Sequence, residues 1–216
     1  LALKGYQSLF PSVAYPPLRR QLVHLIAVDL HRRGKSDMAL AVLVAFEGLL
    51  RIGEVVGLHV SDLVDSADDR LPLGVSLPGF SFRLRKTKTG ENQWARVEES
   101  TVVRLLQQRL VRLRGRPDAK VFPFSTSQLR RAFKQSVARV GLDASYVFHS
   151  LRHGRATEMH LMKMPLEDVL AAGRWQSTKT ARHYVQAGRV LLIATKVPDA
   201  VARRANQVSA LLPLLL

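Results

Sequence analysis

"HSLRHGRATEMHL", residues 149–161, is the stretch on which the reading of this chain turns. His149, Arg152 and His153 fall together at the start of a segment with helical spacing. A separation of three puts His149 and Arg152 on one helix face, and His153, one turn from His149, lies near it. Three chemistries compete for such a cluster: a metal site, a solvated basic helix start, or a holder for phosphate. Histidines at i and i+4 can hold zinc, but the zincin pattern wants a glutamate directly after the first histidine, and Ser150 stands there. The chain has no cysteine, and acidic residues do not cluster beside the histidines, so no metal is expected. Arginine offers a planar fork of donors matched to two phosphate oxygens, and histidine adds a donor or proton carrier near neutrality. In isolation a basic surface helix explains the cluster equally well.

Composition narrows the choice. Lys+Arg number 33 against 17 Asp+Glu, a formal net charge of +16 in 216 residues. So lopsided a charge on a compact fold points to a polyanionic partner, with nucleic acid the default, although ribosomal and membrane-surface proteins share the feature. A hydrophobic content of 47% fits a folded protein of one domain, or one domain with a small appendage. The absence of cysteine excludes disulfides, thiol catalysis and thiolate zinc sites. No apolar run of about 18 residues or more asks for a membrane span, and no basic-then-apolar leader opens the chain. Nothing in the composition asks for a small-molecule substrate or a cofactor.

The predicted fold is mainly α-helical with one small antiparallel β-hairpin. Leu18, Leu22, Leu25 and Ile26 recur at helical spacing before Gly34, and Ser36 is a candidate cap for the nearly all-apolar helix "DMALAVLVAFEGLL". "FSFRLRK" alternates, with Phe80, Phe82 and Leu84 on one side and Ser81, Arg83 and Arg85 on the other. "TKTGEN" reads as a turn and "QWARV" as the return strand, with Trp94 expected to pack. Further helices are expected around Val102–Leu113, Leu129–Val140 (closed by Gly141), the quoted stretch, "PLEDVLAAG" to Gly173, "STKTARHYVQAG" capped by Ser177, and an amphipathic C-terminal helix with the greasy end "SALLPLLL".

The cluster has company. Arg51 follows a buried-looking helix and needs a partner or ligand, which Glu54 can supply three residues on. Lys86 and Lys88 mark the hairpin tip, and Trp175 and Tyr184 follow downstream. Taken in order, "LLRIGE" (Arg51, Glu54), "RKTKTG" (Lys88), "HSLRHG" (His149, Arg152), "GRW" (Trp175) and "ARHYV" (Tyr184) resemble the catalytic domain of the tyrosine recombinase, or phage integrase, family. The tryptophan and the "TKT" around the lysine are similar to Cre recombinase. The resemblance runs from about Asp37 to Tyr184.

That resemblance implies the tyrosine recombinase catalytic fold and a site-specific recombinase that cleaves and rejoins double-stranded DNA through a 3′-phosphotyrosyl intermediate, with no metal or other cofactor. It implies that Arg51 and Arg152 clamp the non-bridging phosphate oxygens, that His149 donates or moves a proton, and that Trp175 offers its indole N–H. Tyr184 would be the nucleophile and Lys88 the general acid, with Lys86 the alternative at the same turn. Glu54 would orient Arg51. His153 reads equally as a partner of the site or a core histidine, and Arg83, Arg85, Lys86, Arg130, Arg131 and Lys134 as contacts to the DNA backbone or as solvated charge. Residues 1–190 are expected to form the catalytic domain and 191–216 a tail that docks on a neighbouring protomer, in a homotetramer assembled on DNA. The family's N-terminal clamp domain is not expected in this chain, and an intracellular, DNA-associated location, nucleoid or nucleus, follows. A type IB topoisomerase and a non-catalytic basic DNA-binding module of the same fold are the competing functions.

Overall fold

The computed structural model describes residues 15–65, 68, 71, 78–87, 90–178 and 196–216. Its elements in chain order are α1 (Arg20–Arg32), α2 (Ser36–Glu47), α3 (Ile52–Val56), a short 3-10 turn, β1 (Leu63–Val64), β2 (Phe80–Thr87), β3 (Gly90–Val97), α4 (Ser100–Val111), α5 (Thr126–Arg139), α6 (His149–Leu161), α7 (Leu166–Gly173), α8 (Asp199–Ala210) and α9 (Leu212–Leu215). The architecture is mainly helical with one small sheet, as the residue pattern predicts.

Helix α1 is the axis of the packing. Leu22, Val23, Leu25, Ile26, Ala27, Val28 and Leu30 are all buried, which no single apolar stripe would require. The helix is covered on several sides: α2, α5, α6 and the C-terminal α8 all pack against it. Helix α2 is buried over Ala39–Glu47. Its start differs from expectation: Lys35, not Ser36, is the N-cap residue, and the Ser36 hydroxyl lies 3.1 Å from Nδ1 of His31. Gly34, at φ 71°, turns the chain so tightly that the helix begins one residue before a Ser36 cap would allow.

The hairpin has the predicted phase, with Phe80, Phe82 and Leu84 buried beneath β2 and Arg83 and Arg85 exposed above it. Strands β2 and β3 pair in antiparallel register from Phe80↔Val97 to Thr87↔Gly90. A two-residue third strand, β1, extends the hairpin to a sheet ordered β1-β2-β3. Trp94 does not pack as expected. It is 52% exposed because it pairs with the outward-facing Arg83, while its neighbours Ala95 and Val97 take the inward positions available there.

Two further features fix the frame around α6. The Leu18 N–H donates to the Ser150 carbonyl at 3.0 Å, and the backbone of Leu18 lies so close to Gly154 that a Cβ there would stand 1.8 Å from the Leu18 oxygen. Gly154 therefore lets the entry to α1 rest directly on α6. Behind it, Arg20 of α1 donates to Glu47 of α2 and to Glu158 of α6 (2.8 Å), and Arg155 pairs with Glu158 (2.6 Å) and Glu47 (3.4 Å). Burial pushes the Glu47 carboxyl up. For Glu158 burial pushes the same way, but its bonds to Arg20 and Arg155 prevail and hold it below the usual carboxylate range.

The C-terminal helix lies on the chain's own α1, with Ala205, Val208 and Leu212 buried and the Ser209 hydroxyl 2.8 Å from Nδ1 of His24. Burial and nearby Arg20 lower His24 to about 4, so this histidine is neutral at physiological pH. Leu211 and Leu214 of the greasy end remain exposed.

Candidate active site

A cleft of about 430 Å³ gathers side chains from four parts of the chain. Arg51 enters from the start of α3, His149 from the start of α6, and Arg130 and Lys134 from one face of α5, where their separation of four aligns them. Leu50, Ile52, Val147 and Phe148 supply apolar walls, and Tyr15 closes one side with its ring 6.0 Å from that of His149. Positioning each cation follows from local sequence. A capping box between Ser125 and Gln128 (2.7 and 3.1 Å) fixes the start of α5, and Leu129 and Phe133 on the buried face leave Arg130 and Lys134 outward. Three cations, the first turn of α6 and a lining without acids make this concavity electrostatically favourable for an anion such as a phosphate.

Arg51 is held by Glu54: Nη1 donates to Oε1 at 2.7 Å, and the Arg51 backbone N–H donates to Oε2 at 2.8 Å. The guanidinium is thus aimed from a half-buried base. Burial pushes the Glu54 carboxyl up, yet Arg174 and the Arg51 bonds outweigh it and hold the group below the usual carboxylate range.

Arg152 lies behind the cleft, not in its lining. It is 1% exposed; its guanidinium donates to the carbonyls of Leu49 and Gly173 and stands 4.8 Å from the centre of the Trp175 ring. Trp175 is itself buried, packed with Leu49, Ala156, Met159 and Val169. His153 is buried with its ring edge-on to His149 at 5.1 Å. The structure therefore brings Arg51, His149, Arg130 and Lys134 into one cleft, sets His153 against His149, and buries Arg152 with Trp175 outside the cleft lining.

The remaining expected residues lie elsewhere. Arg131 is exposed outside the cleft lining, and Lys86 is exposed on β2. Arg83 is tied to Asn92 (2.7 Å), and Arg85 is tied to buried Asp62 (2.7 Å) and Ser61 (3.1 Å). Lys88 and Tyr184 fall outside the described residues, as does the helix expected from Ser177 beyond Thr178. Among the described residues no helix is long and apolar enough to cross a membrane, and no group of three or more histidines and acids is arranged to hold a metal.

Two participants were not anticipated. Tyr15 carries no sequence signal beyond its aromatic ring. Arg174 did carry one: an arginine directly after the apolar "VLAAG" needs a buried partner for the same reason as Arg51. It donates to Glu54 at 3.0 Å and to the Leu49 carbonyl at 2.9 Å.

A basic cleft built on a carboxylate-held arginine and a helix-start histidine, set in a helical fold with one small sheet, suits an anionic group such as a phosphate. Residues 18–189 match the model of the phage integrase family, and the chain belongs to that family. Among solved structures, that of XerA recombinase aligns with a TM-score of 0.62 at 20% identity, covering 87% of this chain and 65% of that one. A lambda integrase dimer bound to a COC′ core site aligns at 0.62 and 16% identity, covering 86% and 52%. The Tn1549 transposon integrase in complex with transposon right end DNA aligns at 0.59 and 15%, covering 87% and 69%. The chain thus spans about half to two-thirds of the length of these proteins. A comparison with curated proteins returns no match.

Proposed function

We propose that this chain is a site-specific DNA recombinase or integrase that cleaves and rejoins strands through a 3′-phosphotyrosyl link. Family membership supports the reaction class, and the observation that carries it to this molecule is the shared cleft of Arg51 and His149, lined by Arg130 and Lys134. In this reading the Tyr184 hydroxyl oxygen attacks the phosphorus and its proton passes to His149 or water. The bond from phosphorus to the 5′ oxygen breaks, and Lys88, with Lys86 the alternative, protonates the leaving oxygen. Arg51 neutralises charge building on the non-bridging oxygens, and Arg152, buried with its fork on two backbone carbonyls, adds positive charge without gripping the phosphate as the resemblance implied. A 5′ hydroxyl from another duplex then reverses the step. One ester replaces another, so the reaction conserves its bond energy and needs no nucleotide cofactor.

Double-stranded DNA is the partner, and a homotetramer on DNA is the assembly. Residues 1–190 act as the catalytic domain, and Leu211 and Leu214 in the tail 191–216 are left to meet a neighbouring protomer. The working location is intracellular, on DNA.

The test is detergent-trapped covalent protein–DNA on a pool of supercoiled plasmids with random inserts. The wild-type chain should form the adduct, Tyr184→Phe should abolish it, and Tyr15→Phe should keep it, although Tyr15 lines the same cleft. No adduct from wild type, or an adduct that survives Tyr184→Phe, refutes the reading. Relaxed plasmid without recombinant joints would instead favour a topoisomerase.

A further inference from the structure

We propose that Arg174 is a positioning residue for this chemistry: by bridging Glu54 and the Leu49 carbonyl it locks Arg51 and Arg152 into one rigid frame. The inference deepens the strand-transfer reading and rests on it.

The geometry is specific. Helix α7 ends at Gly173, and Arg174 follows at φ 54°, in the left-handed region. A Cβ on Gly173 would stand 2.0 Å from the Trp175 ring, so this glycine lets the tryptophan fold back and sends Arg174 inward. Arg174 then donates through Nη2 to Glu54 Oε2 (3.0 Å) and the Leu49 carbonyl (2.9 Å), and through Nη1 to the carbonyls of Ala172 (3.2 Å) and Gly48 (3.3 Å). Glu54 spends its other capacity on Arg51, and the Leu49 carbonyl also accepts from Arg152. Leu49 itself sits at φ 48°, a left-handed conformation unfavourable for a non-glycine residue, and its carbonyl accepts from both guanidiniums.

Packing alone does not call for a guanidinium here. Burying one is unfavourable unless its bonds are complete, and an apolar side chain would fill the space without that cost. What only arginine does is hold one carboxylate oxygen and adjacent carbonyls with a planar fork, which lysine cannot. Without it Glu54 keeps Arg51 but is free to turn, and Arg51 loses its fixed aim at the phosphate. The group remains charged although burial, and then Arg51, lower its proton affinity.

Full-length wild type, Arg174→Lys, Arg174→Gln, Glu54→Gln and the double variant Arg174→Lys/Glu54→Gln decide the matter through two readouts. The first is the Glu54 carboxyl titration by NMR in the free protein: it should move up toward the ordinary carboxylate range in Arg174→Gln, and by less in Arg174→Lys. The second is single-turnover adduct formation on duplexes carrying a normal phosphate or a methylphosphonate at the cleavage position. Arg174→Lys should slow cleavage of the phosphate about 10- to 100-fold with little change in DNA affinity. The deficit should shrink on the methylphosphonate, whose missing charge needs less clamping. It should also vanish in the Glu54→Gln background, since both substitutions break one chain of contacts.

Wild-type rates in Arg174→Lys, multiplicative losses across the double variant, or an unmoved Glu54 titration overturn the proposal. If Arg174→Gln fails to fold, Arg174→Lys carries both readouts. If wild type forms no adduct, strand transfer itself is refuted, and the Glu54 titration alone decides whether Arg174 holds that carboxylate.

Discussion

Replacing Gly154 with alanine tests the contact on which the site helix rests. Alanine is the better helix former by about 1 kcal/mol, so sequence preference alone says the change should stabilise α6. The structure says the opposite. The new Cβ would stand 1.8 Å from the Leu18 oxygen and 2.8 Å from its carbonyl carbon, and both atoms are backbone, which cannot swing aside like a side chain. Forcing a methyl into such a contact costs about 1–3 kcal/mol, and displacing Leu18 also threatens its bond to Ser150, worth about 1 kcal/mol. Setting these against the helix gain leaves a net loss of about 1–3 kcal/mol. For a chain of 216 residues that is a fall of about 2–12 °C in Tm. Gly53→Ala is the control, because nothing lies within 4 Å of its Cβ and its φ is not positive. It should be neutral or stabilising by up to about 1 kcal/mol. Thermal and urea unfolding followed by circular dichroism give both numbers. A Gly154→Ala protein at least as stable as wild type would refute the close approach of the α1 entry to α6, and with it the account of how His149 and Arg152 are held.

Two other outcomes follow from the cleft and the sheet. Lys134→Ala and Arg130→Ala should each lower the log–log salt dependence of DNA binding by about 0.9, the share of one phosphate contact, whereas Arg85→Ala should do less because Asp62 already occupies it. Trp94→Ala should change stability by no more than about 0.5 kcal/mol and Trp175→Ala should cost about 3–5 kcal/mol; equal effects by urea unfolding would contradict their placement.

Much of the frame was legible because periodicity reports burial. The alternation in Phe80–Leu84 and the spacing of Leu129, Phe133 and Val137 each state which face is covered, and the structure covers those faces. The sheet's third strand was not legible, because two residues carry no period. For Trp94 residue type suggests packing, but parity is the better guide: it precedes inward Ala95 and so must point outward. The site was half legible. Arg51 with Glu54 could be read as a local pair at a spacing of three, and the structure forms it. The depth of Arg152 could not be read, since a shared helix face does not say how far that face is covered by Leu49 and Trp175, which arrive from distant parts of the chain. The role of Arg174 could not be read from its neighbours, since its partners Glu54 and Leu49 lie more than a hundred residues away in the sequence.

The quartet of Arg20, Glu47, Arg155 and Glu158 behind the site has two positive and two negative members. Its field cancels at a distance, so it adds nothing to the attraction between this basic molecule and a nucleic acid. Glu47 is buried and the other three are mostly buried, so dissolved ions screen the quartet less than they screen exposed Arg130 and Lys134 on the open face of the cleft. Raising the ionic strength should therefore release the protein from DNA well before it loosens the helices that carry the site.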